Sequence, residues 1–165
     1  MKHLIPILIL ICYSCNFNYT DTDSVNDSDI KQDTEKIKSI KNTLIKQRDC
    51  WNNGDIDGFM QGYWNSDKLV FTSLAHKPAY GWENTIKRYK TSYPDRKSMG
   101  NLQFNIIDVK LISDSSAKLT GEWQLIRQND NPYGKFWLEI RLFNDTWLIT
   151  KDSTISLTRP IPVPR

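Results

Sequence analysis

The sequence predicts an α+β domain: one curved sheet with helices on one face. Three observations carry this. Apolar residues recur at helical spacing in the first half of the chain, between Ile37 and Tyr93. From Leu102 onward they alternate or run together over four segments. Short turn clusters part those segments, as expected of consecutive antiparallel strands.

The elements follow in order. Ile37, Ile40, Leu44 and Trp51 fall on one face of a helix beginning near Thr34. Asn52-Asn53-Gly54 ends it, with Gly54 free to take the left-handed conformation of a helix C-terminus. Asp55 can cap a short second helix carrying Ile56, Phe59, Met60 and Tyr63. Leu69 to Leu74, rich in Val, Phe and Thr, is a strand. A third helix spans Trp82 to Tyr93 on Trp82, Ile86, Tyr89 and Tyr93, and Pro94 ends it. Leu102–Ile112, Ala117–Arg127, Lys135–Phe143 and Thr146–Ser153 are strands, the last two joined by a two-residue Asn144-Asp145 turn.

The 165 residues suffice for one core and not for two. With 39% hydrophobic and 25% charged residues the chain is neither wholly disordered nor polytopic. A net charge of +3 is too mild for a nucleic-acid surface, so none is expected as a partner. The six Trp, seven Tyr and six Phe are more telling, since aromatic rings line small-molecule pockets.

The N-terminus predicts an address. Lys2 precedes an apolar stretch, Leu4 to Cys12, too short to span a membrane and suited to a signal peptide over residues 1–14. Ser14-Cys15-Asn16 resembles the cleavage box of bacterial lipoproteins, which implies cutting before Cys15 and lipidation there. An ordinary secretory signal is the alternative, and Asn18-Tyr19-Thr20 and Asn144-Asp145-Thr146 are formal glycosylation acceptors. Residues 15–34, rich in Asp, read as a disordered acidic tether, residues 35–156 as the domain and residues 157–165 as a Pro-rich tail. The membrane is thus a partner through the lipid anchor alone. With Cys12 in the leader and Cys15 at the lipidation site, Cys50 stands alone in the domain and no disulfide is expected there.

Trp51-Asn52-Asn53-Gly54-Asp55-Ile56-Asp57-Gly58-Phe59, then Tyr63-Trp64, a strand, Gly81 opening a helix and a long meander resemble the nuclear transport factor 2-like superfamily, in its SnoaL-like and ketosteroid-isomerase-like branch. The resemblance implies a cone-shaped, cystatin-like fold. A strongly bent antiparallel sheet wraps three N-terminal helices and leaves a pocket, and a second copy of the chain packs on the sheet's outer face. Ketosteroid isomerases use an Asp base on the first strand, with a Tyr and a protonated Asp as oxyanion hole. Those positions fall here on Phe71 or Thr72, on Gln47 and near Glu139. The base and the Tyr are missing, so steroid isomerase chemistry is not expected. Members of the superfamily often carry Asp-His late in the last strand, whereas this chain has Asp152-Ser153-Thr154.

The expected ligand pocket comprises Tyr63, Trp64, Phe71, Tyr80, Trp82, Tyr89, Trp123, Arg127, Trp137 and Glu139. Glu139 is either a carboxyl in an aromatic pocket or, preferred, a surface Glu on the outer sheet face. Arg127 is either an anchor for a carboxylate or phosphate or the partner of Glu139 in an ion pair across the hairpin. Lys87, Arg88, Lys90, Arg96 and Lys97 read as a solvated face, with attraction to polyanions as the alternative. One His and one Cys in the domain cannot build a zinc site, and no metal or other cofactor is expected. Three functions stand open. The first is an envelope domain binding a small apolar or amphipathic molecule without turnover. The second is an isomerase or lyase using Glu139 as acid with Tyr63 or His76. The third is a protein-interaction module.

Overall fold

A computed structural model describes residues 26–74 and 76–157. The expected leader, Cys15 and the chain beyond Leu157 lie outside the described residues.

Helix α1 (Asp27–Asn52) begins earlier than its apolar face predicts. The Asn26 side chain accepts a hydrogen bond from the Ser28 N–H, and Asp27 and Asp29 sit in the first turn, where negative charge suits the helix dipole. Acidic residues assigned to a disordered tether therefore form the first turns of the helix, all of them exposed as far as Glu35. Ile40, Leu44, Gln47 and Trp51 face the core. As expected, Gly54 adopts a positive φ of 82° past the helix end, and Asp55 caps α2 (Ile56–Met60) through a 2.7 Å bond from the Gly58 N–H.

Strands β1 (Val70–Ser73) and β2 (His76–Tyr80) precede α3 (Trp82–Ser92) and the one-turn α4 (Arg96–Met99). Strands β3 (Asn101–Ser113), β4 (Ser116–Ile126), β5 (Tyr133–Phe143) and β6 (Thr146–Leu157) complete a six-stranded sheet of order β2-β1-β6-β5-β4-β3. The sheet is antiparallel except where β1 runs parallel to β6. Neither β2 nor α4 shows in the hydrophobic pattern; β2 contains Pro78, tolerable because it is an edge strand. Asn144 and Asp145 both take positive φ, 44° and 63°, in the tight β5–β6 hairpin.

Two irregularities shape the sheet. Ile107 is an extra residue in β3, since Ile106 pairs with Gly121 and Asp108 with Thr120. A Cβ on Gly121 would run into the Phe136 ring and the Asn105 carbonyl, so the sheet bends tightly there because Gly121 has no side chain. In β6, Ile149 pairs with Ile140 and Lys151 with Glu139, leaving Thr150 unmatched. Trp147 and Ile149 point to the core before this bulge, and Asp152 does so after it. One extra residue has exchanged the faces of the strand.

Candidate functional site

Between the concave sheet and the helices lies a cavity of about 190 Å³. Its walls are largely aromatic: Trp51 from α1, Phe59 from α2, Phe71 from β1, Tyr89 from α3, Trp123 from β4 and Phe136 from β5. These rings hold one another in place. Trp51 meets Phe59 edge-on at 5.1 Å between centroids, and Tyr89 meets Phe59 at 5.1 Å and Phe71 at 5.6 Å. The Trp51 indole also donates to the Met99 carbonyl at 3.2 Å, fixing α1 to the chain entering β3.

Asp152 is the acidic group of this hollow. It lies on β6 between β5 and β1, opposite Leu138 and Phe71, and only 6% of its surface is exposed. The Tyr63 hydroxyl donates to Asp152 Oδ2 at 2.7 Å. With that proton committed, the Tyr89 hydroxyl, 3.2 Å away, is the donor to Tyr63, giving a relay Tyr89→Tyr63→Asp152. Backbone bonds place Tyr63: Trp64 N–H donates to the Ile149 carbonyl and Ile149 N–H to the Gly62 carbonyl, both at 2.9 Å. The other carboxyl oxygen, Asp152 Oδ1, is the one fully buried side-chain polar atom without a partner among the described residues. A buried carboxyl oxygen without a partner is uncommon in a folded protein, and here it faces the cavity lining.

Burial raises the Asp152 carboxyl to about 7, and the Tyr63 bond offsets part of that rise. Burial also pushes the Tyr63 and Tyr89 phenols well above their ordinary range, and the Asp152 charge adds to both. Near neutrality the tyrosines are therefore donors, while Asp152 can hold or release a proton.

The rim is polar. Arg88 from α3 lies with its guanidinium carbon 4.8 Å from the centre of the Phe71 ring. It donates to the Lys77 carbonyl at 3.0 Å and to Ser73 Oγ at 3.3 Å. Ser92 and Ser156 complete that side. Arg88 thus turns inward from the basic run expected to be a solvated face. Among the described residues, no three His, Cys, Asp or Glu side chains are grouped to hold a metal.

Of the expected pocket residues, Tyr63, Phe71, Tyr89 and Trp123 line the cavity. Six lie elsewhere. Trp64 stacks on Phe143 at 5.0 Å, and Trp82 packs on the core and donates to the Met60 carbonyl. Tyr80 is exposed on the edge strand β2. Trp137 and Glu139 are on the outer sheet face, where strict alternation along β5 puts them, and Glu139 pairs with Lys151 at 3.4 Å. Arg127 forms two bonds to Asp130 and one to the Ser98 carbonyl, fastening the β4–β5 loop to α4. Glu139 is therefore not an acid of this site. Gln47 does line it, with its amide donating to the Phe59 carbonyl.

No family model and no curated protein matches the chain. Among solved structures, a nuclear transport factor 2-like protein of unknown function from Shewanella oneidensis MR-1 is 39% identical, with a TM-score of 0.69, over 72% of this chain and 98% of that one. A ketosteroid isomerase-like protein from Erwinia carotovora atroseptica SCRI1043 is 15% identical, with a TM-score of 0.63, over 76% of this chain and 98% of that one. A domain of unknown function with a cystatin-like fold from Nostoc punctiforme PCC 73102 is 14% identical, with a TM-score of 0.65, over 76% of this chain and 80% of that one. The last two share the fold alone. A helix-filled, bent sheet and 39% identity over nearly the whole of the Shewanella protein lead to one conclusion: the chain belongs to the nuclear transport factor 2-like superfamily.

Proposed function

We propose that the cavity binds a small amphipathic molecule of about one ring, with its polar group on Asp152. The unpartnered Asp152 Oδ1 inside an aromatic hollow carries this reading. Size supports it: about 190 Å³ is below the usual range for drug-sized ligands, yet above the ~150 Å³ that admits benzene. Protonated, Asp152 can donate to a carbonyl; ionised, it can accept from a hydroxyl. The test is a titration with benzyl alcohol, followed through the indole N–H resonances of Trp51 and Trp123. Saturable shifts in both are expected, and Leu138→Phe, which adds volume to the lining, should abolish them. Unmoved indole signals, or unimpaired binding by Leu138→Phe, would refute the proposal.

A second reading, proton transfer, is favoured by the geometry of Asp152, a cavity-lining carboxyl held by the Tyr89–Tyr63 relay. Its burial raises it to about 7, a value suited to a general base. The enzymatic alternative accordingly moves from Glu139 to Asp152. Exchange of the α-protons of cyclohexanone in heavy water tests it. Acceleration by the wild type but not by Asp152→Asn supports proton transfer, and equal rates exclude it.

An envelope address belongs to the same proposal, resting on the Leu4–Cys12 stretch and Ser14-Cys15. Metabolic labelling with a fatty-acid analogue should mark the wild type and not Cys15→Ala; an unlabelled wild type would contradict it.

A further inference from the structure

We propose that Arg88 is an anion anchor at the threshold of the hollow, so that the natural ligand is a ring-sized carboxylic acid. This rests on the reading of the hollow as a ligand pocket and specifies the class of molecule.

The first observation is a charge without a counter-charge. Arg88 joins none of the ion pairs formed among the described residues. Its two bonds go to neutral acceptors, the Lys77 carbonyl and the Ser73 hydroxyl. They fix the plane of the group and leave most of its five N–H donors unused. The second is its setting. One face of the guanidinium lies on Phe71, a buried ring of the cavity wall, so the charge is partly shielded from water and acts more strongly on an anion. The third is position. A shallow groove along β2, lined by Lys77, Pro78, Tyr80 and Asn84, also includes Arg88 and Ser92. Arg88 therefore stands between that groove and the interior, with Phe71 beneath it.

A planar carboxylate matches the fork of a guanidinium with two parallel hydrogen bonds. With its ring among Phe71, Tyr89 and Trp123, such an acid would present its carboxylate to Arg88 and a second polar group, on its far edge, to Asp152.

The experiment compares benzoate with benzyl alcohol on the full chain at pH 6, followed by the indole resonances of Trp51 and Trp123. Benzoate should bind at least about tenfold more tightly, the gain expected of a charge-assisted pair. Arg88→Met should bring the ratio to about one, and Arg88→Lys, which keeps the charge without the fork, to an intermediate value. Circular dichroism checks that each variant folds; should Arg88→Met fail to fold, Arg88→Lys decides. A wild-type ratio near one, or a ratio unchanged in the folded variants, overturns the anchor while the pocket stands. If neither probe shifts the indoles, the pocket reading fails and the anchor fails with it.

Discussion

Replacing Asp152 by Asn should make the protein more stable, and only above mildly acidic pH. In an unfolded chain an Asp titrates near 3.9, whereas in the hollow Asp152 titrates at about 7. Below about pH 3 both states hold the proton and the side chain contributes no pH dependence. Between pH 4 and 7 the unfolded chain gains free energy by ionising while the folded one does not, so stability falls; above 7 the loss is constant. The gap between the two values corresponds to about 4 kcal/mol, which water entering the cavity would reduce to about 2–4 kcal/mol. Asn can still accept from the Tyr63 hydroxyl and cannot ionise. Urea denaturation should therefore find Asp152→Asn about 2–4 kcal/mol more stable than wild type at pH 8.5. At pH 4 the two should agree within about 0.5 kcal/mol. The corresponding rise in melting temperature at pH 8.5 is roughly 6–15 °C. Parallel stability curves across this range, or a variant weaker at pH 8.5, would refute the reasoning.

Three other outcomes follow from the same geometry. Tyr63→Phe removes the donor that steadies the ionised carboxyl, so the Asp152 midpoint should rise further, with a loss of about 1–3 kcal/mol at pH 8.5, read by urea denaturation. Gly121→Val drives a branched side chain into the Phe136 ring and the Asn105 carbonyl and should cost about 2 kcal/mol or more at every pH. Glu139→Gln breaks a half-exposed outer-face pair; stability should change by less than about 1 kcal/mol, and benzyl alcohol binding not at all.

Much of this molecule could be read from its residues. Helix faces such as Ile40, Leu44 and Trp51 carry a strong period, and turns such as Asn144-Asp145 have a conformational cause, so the order of elements and the bent sheet were legible. Strict alternation put Glu139 and Trp137 on one face but could not say which, and an acid beside Trp and Phe looks the same on either. Asp152 was obscured differently. Extending the alternation of Trp147 and Ile149 turns Lys151 inward and Asp152 outward, and the Thr150 bulge reverses that without a sequence signal. Arg88 sits among Lys87 and Lys90 in a basic run, and only the strands it bonds to, one of them unforeseen, draw it to the rim.

The central claim is that the hollow holds a carboxyl poised near neutrality, and carbon-13 NMR of the aspartate side chains tests it most directly. One carboxyl signal, absent from Asp152→Asn, should titrate with a midpoint of about 7. A midpoint near 4 for that signal would mean that Asp152 is solvated like a surface acid, and would contradict the account.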